Sequence, residues 1–170
     1  MVVGAGAGVG NPEWRQWPPA TTLLAVLTHS LAELQSWFDS RQAQAGSRPD
    51  PRVVTLQTLE ESRLTAHRRR FEPDVRPGGI ISGPALVAFV DAIAWMMAVA
   101  HQPYGSDALT LSLSMQFLRA APAGELTGAV EALRIDGRTS VVSVTVRSPG
   151  VPDGPVAHAV VTLTCRPATP

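Results

Sequence analysis

Asp91 is the only charged residue between Ile80 and Ala100. A carboxylate inside so apolar a run has two uses. It can act as a base or nucleophile, or it can be a structural acid satisfied by backbone and hydroxyl groups. On residue types alone the two readings stand level. The run contains Ser82-Gly83-Pro84 near its start. Ser is a good N-cap, and Pro suits a first helical turn because its missing N–H would have no helical acceptor. A helix start there would present unpaired N–H groups and the positive end of the helix dipole. Gly83, with no side chain, allows close approach of a carbonyl. Asp91 lies a little over two turns further on, and positions 84, 88, 91 and 95 share one face. Such a face could remove a proton or attack directly, with negative charge met at the helix start. Ser82 reads first as a cap. Trp95, Met96 and Met97 read as core or pocket lining.

The elements that must hold these residues follow from periodicity. The helix carrying Asp91 runs from Ser82 or Gly83 to about His101 and stops before Pro103 and Gly105. It is apolar nearly all round, so it must be covered on most sides. Upstream, Leu23, Leu27, Leu31, Leu34 and Phe38 form one stripe and predict a helix over about 21–42. Strands are expected over 53–59 and 63–71, then a loop over 72–82 rich in Pro and Gly. Downstream, residues 108–118 alternate, with Leu109, Leu111, Leu113, Met115 and Phe117 on one face. Thr110, Ser112, Ser114 and Gln116 are on the other. Strands over 125–135, 138–147 and 155–165 complete a meander, with Asp136-Gly137 as a hairpin turn. One long helix can be covered on most sides only if the sheet curls around it.

Composition narrows the function classes. The 170 residues are 45% hydrophobic and 16% charged, which suits one globular domain over 20–170, its core over about 53–166. Residues 1–19, rich in Gly, Ala and Pro, are expected to be a flexible extension. Lys plus Arg and Asp plus Glu number 14 each, so no charge excess points to nucleic acid or an anionic membrane. Arg68-Arg69-Arg70 reads as a solvated loop or strand end rather than a binding patch. The apolar run approaches membrane-span length, but a carboxylate at mid-bilayer costs about 2.5–3.5 kcal/mol, so no membrane span is expected. The single cysteine, Cys165, excludes an intrachain disulfide and fits a cytoplasmic location; it reads as a small buried hydrophobe. The four histidines are far apart in sequence, no Cys/His spacing suits a metal, and no cofactor is expected. The N-terminus lacks the pattern of a signal peptide.

The stretch from about Phe71 to Thr164 resembles the PaaI-like acyl-CoA thioesterases of the hotdog superfamily. These carry His-Gly-Gly at the start of the central helix and an acidic residue two to three turns on. Ser82-Gly83-Pro84 and Asp91 stand at those places. Phe117-Leu118-Arg119 and Ala123-Gly124-Glu125-Leu126 look like a strand-and-turn segment of the family. The resemblance implies an α+β hotdog fold: a curled antiparallel sheet wrapped around a long central helix, here with an extra N-terminal helix. It implies hydrolysis of acyl-CoA or related thioesters at a dimer-interface site in a homodimer or homotetramer. Asp91 would be general base or nucleophile, and the Gly83 N–H the oxyanion donor. A Ser or Thr near Thr110, often from the partner subunit, would assist the acid. Ser82, Arg76, Trp95 and Arg119 are the expected substrate-binding residues, Arg119 towards CoA phosphates.

The sequence departs from the family at two helix-start positions: Ser82 replaces the His, and Pro84 replaces the second Gly and has no N–H. Arg76 stands in a loop where some relatives place an Asn. These departures motivate an alternative, a non-catalytic acyl-CoA or acyl-lipid binding module. An enoyl thioester hydratase is a weaker rival, because its site needs a His close to the Asp, and none lies close after Asp91 except His101 at the far helix end.

Overall fold

The computed structural model describes residues 26–44, 54–70 and 72–166; the extension expected over 1–19 lies outside them. Helix α1 is Leu31–Gln44, and strands β1 and β2 are Val54–Leu59 and Arg63–Arg68. A short 3-10 turn, Glu72–Asp74, leads into a small hairpin of β3, Val75–Arg76, and β4, Ile80–Ile81. Helix α2 is Gly83–Val99. The meander is β5, Asp107–Phe117; β6, Leu126–Ile135; β7, Thr139–Arg147; and β8, Ala157–Arg166.

The six long strands form one antiparallel sheet in the order β1-β2-β6-β7-β8-β5. Helix α2 touches every strand of it, which is the expected curled sheet around a central helix. Its Phe89, Val90, Ile93, Ala94, Met96 and Met97 are essentially inaccessible, as the unbroken apolar pattern requires. Cys165 is buried as expected.

The close helix–sheet approach depends on Gly128 in β6. A Cβ built there would lie 2.4 Å from the Ile93 Cδ1 and 3.0 Å from the Phe89 ring. Both neighbours are fully packed, so they have little room to yield. Gly128→Ala is expected to lower stability by about 1–3 kcal/mol, the usual cost of overpacking a core. The measurement is the midpoint of urea unfolding; an unchanged midpoint would show that α2 can back away without loss.

Helix α1 starts later than the leucine stripe suggests. Ser30 and Glu33 make a reciprocal capping box: the Glu33 N–H donates to Ser30 Oγ, and the Ser30 N–H donates to Glu33 Oε2 at 2.8 Å. Residues 26–30 are not helical, and Thr28 donates from its N–H and its hydroxyl to the Ala100 carbonyl. The part of the expected helix over 21–25 lies outside the described residues. Leu34, Trp37 and Phe38 seal one end of the core. Gln35 reaches the outer edge of β1, where its amide donates to the Val54 carbonyl and accepts from the Leu56 N–H. This sheet edge is therefore partly capped by a side chain. Among the described residues the β5 edge carries no such cover, and Leu109, Leu111 and Phe117 along it are exposed.

Candidate active site

The start of α2 is built by the residues before it. Ser82 is the N-cap, in extended conformation, and its Oγ accepts from the Ala85 N–H at 3.4 Å. The Ser82 N–H donates to the Asp74 carbonyl at 2.7 Å, and the Leu86 N–H to the Ser82 carbonyl. Pro84 has no donor. Of the first-turn donors, this leaves the Gly83 N–H as the one with no acceptor among the described residues. The ring of Phe117 lies beside it: a Cβ on Gly83 would be 3.6 Å from that ring.

Asp91 is half-buried and accepts a hydrogen bond from the Thr110 hydroxyl, Oγ1 to Oδ1, at 2.6 Å. Strict alternation would have turned Thr110 away with Ser112, Ser114 and Gln116. A bulge at Leu111 reverses this: Thr110 pairs with buried Leu163, whereas Ser112 pairs with Thr162 on the outer face. The extra residue shifts the side-chain phase by one. Thr110 therefore shares the inner face with Leu113, Met115 and Phe117, and Leu109 moves to the outer face. The contact is made within one chain, whereas the resemblance suggested a hydroxyl from the partner.

One turn beyond Asp91, the Trp95 indole N–H donates to Asp107 Oδ1 at 3.0 Å. Arg41 of α1 pairs with the other Asp107 oxygen at 2.9 Å and lies over the Trp95 ring, 5.3 Å from its centroid. Trp37 packs against the same ring, 5.4 Å between centroids. Burial pushes the Asp107 carboxyl up, but hydrogen bonds from Trp95, the Ala108 N–H and Arg41, with the Arg41 charge, outweigh it and hold it below the ordinary Asp value. Helix α2 and strand β5 thus run side by side in opposite directions. Gly83 meets Phe117, Asp91 meets Thr110, and Trp95 meets Asp107.

The other expected site residues stand apart from this line. Arg76 is exposed on the small hairpin, next to Gly78 and Gly79, which both take positive φ. Arg119 is turned onto the loop before β8, where its Nη1 donates to the Pro155 carbonyl at 2.9 Å. Arg68 corrects the reading of a solvated arginine cluster. It is 3% exposed, and its guanidinium bonds the Ala85 carbonyl and the Asp74 carboxylate. Its signal was present in the sequence, since Leu64, Ala66 and Arg68 fall at period two on the inward face of β2. Arg41, Asp74 and Asp107 carried no comparable mark. Among the described residues no three His, Cys, Asp or Glu side chains could hold a metal, and no helix is long and apolar enough to cross a membrane.

A family model described as the thioesterase superfamily matches residues 78–153, a span that holds Gly83, Asp91 and Thr110. No protein of the curated set matches the chain. Among solved structures, a candidate thioesterase from a Silicibacter species superposes with TM-score 0.71 at 24% identity, over 84% of this chain and 95% of that one. A thioesterase from Haemophilus influenzae gives TM-score 0.68 at 15% identity, over 88% and 98% of the two chains. A mutant thioesterase from Pseudomonas aeruginosa gives 0.69 at 19%, over 85% and 99%. The fold is the hotdog fold, and the family match bears out the resemblance to its thioesterases.

Proposed function

We propose that this chain hydrolyses acyl-CoA or closely related thioesters, with Asp91 as general base or nucleophile and the Gly83 N–H as oxyanion donor. The observation that carries the reading is the Asp91–Thr110 pair, a polar contact at 2.6 Å on an otherwise apolar helix, made with β5 at the end of the sheet. Thr110 donates to Oδ1 and leaves Oδ2 to accept a proton from water. The water oxygen then bonds to the thioester carbon, and the carbonyl electrons move onto oxygen, which the Gly83 N–H and the helix dipole stabilise. Collapse of the tetrahedral species expels thiolate, which takes up the proton, and frees the carboxylic acid. Trp95 would flank the acyl group, and Arg76, whose guanidinium is exposed, would meet the phosphates of CoA.

The spacing of these groups supports a site shared between two copies of the chain. Eight residues of α-helix separate Gly83 from Asp91 by about 12 Å along the axis. That is a long reach for one carbonyl and one water between two groups of the same helix. Two chains joined antiparallel through β5, with a twofold axis at Ser114 and the Leu111 bulge as one extra residue, would bring Thr110 opposite the partner's Phe117. Asp91 would then face the partner's Gly83 across one carbonyl. The exposed leucines of β5 fit such a seam, and a homodimer, alone or doubled into a homotetramer, is the proposed assembly. A lone buried thiol accords with a cytoplasmic setting.

Thiol release from a panel of aliphatic and aryl acyl-CoAs, followed with a thiol reagent, tests the reading. Turnover of at least one member is expected. Tight binding of an acyl-CoA without thiol release would favour the non-catalytic module, in which Pro84 has left too few donors. Hydration of an enoyl-CoA without thiol release would favour the hydratase.

A further inference from the structure

We propose that Arg68 and Asp74 form a clamp that sets the position of the Gly83 N–H, making Arg68 a positioning residue for the oxyanion donor. The proposal rests on the reading of Gly83 given above. Arg68 ends β2, in register with Leu126 of β6, and is therefore anchored to the sheet. Its guanidinium grips the helix start from two sides. Nη1 donates to the Ala85 carbonyl, in the first turn of α2, at 2.7 Å. Nη2 pairs with the Asp74 carboxylate. The backbone carbonyl of that same Asp74 accepts the Ser82 N–H at 2.7 Å. Gly83 is the residue next to Ser82, two before Ala85, so it lies between the two points that Arg68 holds.

The need for such a device follows from the sequence of the helix start. Pro84 removes one first-turn donor, and Ser82 takes up the Ala85 N–H with its own hydroxyl. A single N–H then meets the oxyanion, and no second donor would correct an error in its placement. Gly83 itself has no side chain to pack. The segment before it is a short 3-10 turn and a two-residue-per-strand hairpin, whose second strand is tied to residues 121–123 while the turn that carries Asp74 is held by Arg68. A planar, always charged fork that reaches both sides of the turn supplies the rigidity. Its burial is otherwise hard to explain, because an apolar side chain could fill an inward strand position at less desolvation cost.

The test uses two variants of the full chain. Arg68→Lys keeps a charge near Asp74 but loses the planar fork that holds the Ala85 carbonyl and the Asp74 carboxylate with separate nitrogens. The double variant Arg68→Met with Asp74→Leu removes the clamp and leaves no buried charge unpaired, so it should fold. For each, kcat and KM are measured with the best acyl-CoA substrate, alongside a melting curve. Affinity is measured for two CoA ligands that cannot be hydrolysed: a ketone analogue that keeps the carbonyl and a thioether that lacks it. Misplacement of a reacting group by about 1 Å costs about a hundredfold in rate. Both variants are therefore expected to fold, to lose about thirty- to a hundredfold in kcat, and to keep KM within about twofold. The wild-type preference for the ketone over the thioether should disappear in both. Equal weakening of both ligands, unchanged kcat in the folded protein, or failure of both variants to fold would each overturn the positioning role and leave the clamp purely structural. A wild-type protein that turns over substrate but shows no preference for the ketone would remove Gly83 as donor, and the clamp role with it. Absence of wild-type turnover would remove both the hydrolase and the clamp.

Discussion

Asp91→Asn is expected to cut thiol release by about a hundred- to ten-thousand-fold, the range for loss of a positioned general base. The substitution keeps the size of the side chain and its ability to accept from Thr110 at the oxygen that now receives a 2.6 Å bond. What it removes is proton affinity and nucleophilicity at the second oxygen. The fold should survive, because a neutral amide is cheaper to hold in half-buried surroundings than a carboxylate. A structural role for Asp91 makes the opposite forecast, a shifted melting temperature with turnover kept in the folded fraction. The measurement pairs thiol release with a melting curve and the affinity for a non-hydrolysable acyl-CoA analogue. Near-wild-type turnover by a well-folded variant would remove Asp91 from the chemistry.

Mixing two inactive variants should restore activity. Asp91→Asn disables the base and Gly83→Pro removes the donor, so each homodimer is dead. If each site takes its base from one chain and its donor from the other, a mixed dimer has one intact site and one that carries both defects. Random exchange makes half of the dimers mixed, and half of their sites intact, so about a quarter of wild-type activity should return. A site formed within one chain predicts no recovery, because every mixed dimer would still carry one defect per site. The experiment mixes the two purified variants under conditions that let subunits exchange, then follows thiol release with time. Failure to recover after demonstrated exchange would rule out the shared site and the β5 register proposed for it.

The strongest sequence signals were those with many residues behind them. The α2 run from Gly83 to Val99 and the four-strand meander were legible because period and length agreed over nine or more positions. What escaped was local. The Leu111 bulge shifts the phase of β5 by one residue, and no residue type in the run marks it. It decides the candidate site, because it is what turns Thr110 towards Asp91. The late start of α1 was readable in principle from Ser30-x-x-Glu33, but the leucine stripe continued through it and hid the cap. Arg68 was misread because three consecutive arginines look like a solvated run, although the alternation of β2 turns only the first of them inward. The 12 Å between donor and acid is a property of helix rise, and it was available from the spacing alone.

Helix α2 has a consequence for biosynthesis. It is covered mainly by strands that come off the ribosome after it, and β8, which pairs with both β7 and β5, is the last of them. From Val99 to Arg166 the ribosome adds roughly 70 residues, on the order of 3–14 s at 5–20 residues per second. Through that interval the most apolar segment of the described chain has no sheet to close over it. The order of the sheet makes the delay unavoidable, because β2 pairs with β6 and cannot complete a wall before the meander begins. A nascent chain stalled before residue 157 would lack the strand that joins β7 to β5. It would present α2 to chaperones and to neighbouring nascent chains instead of to its own core.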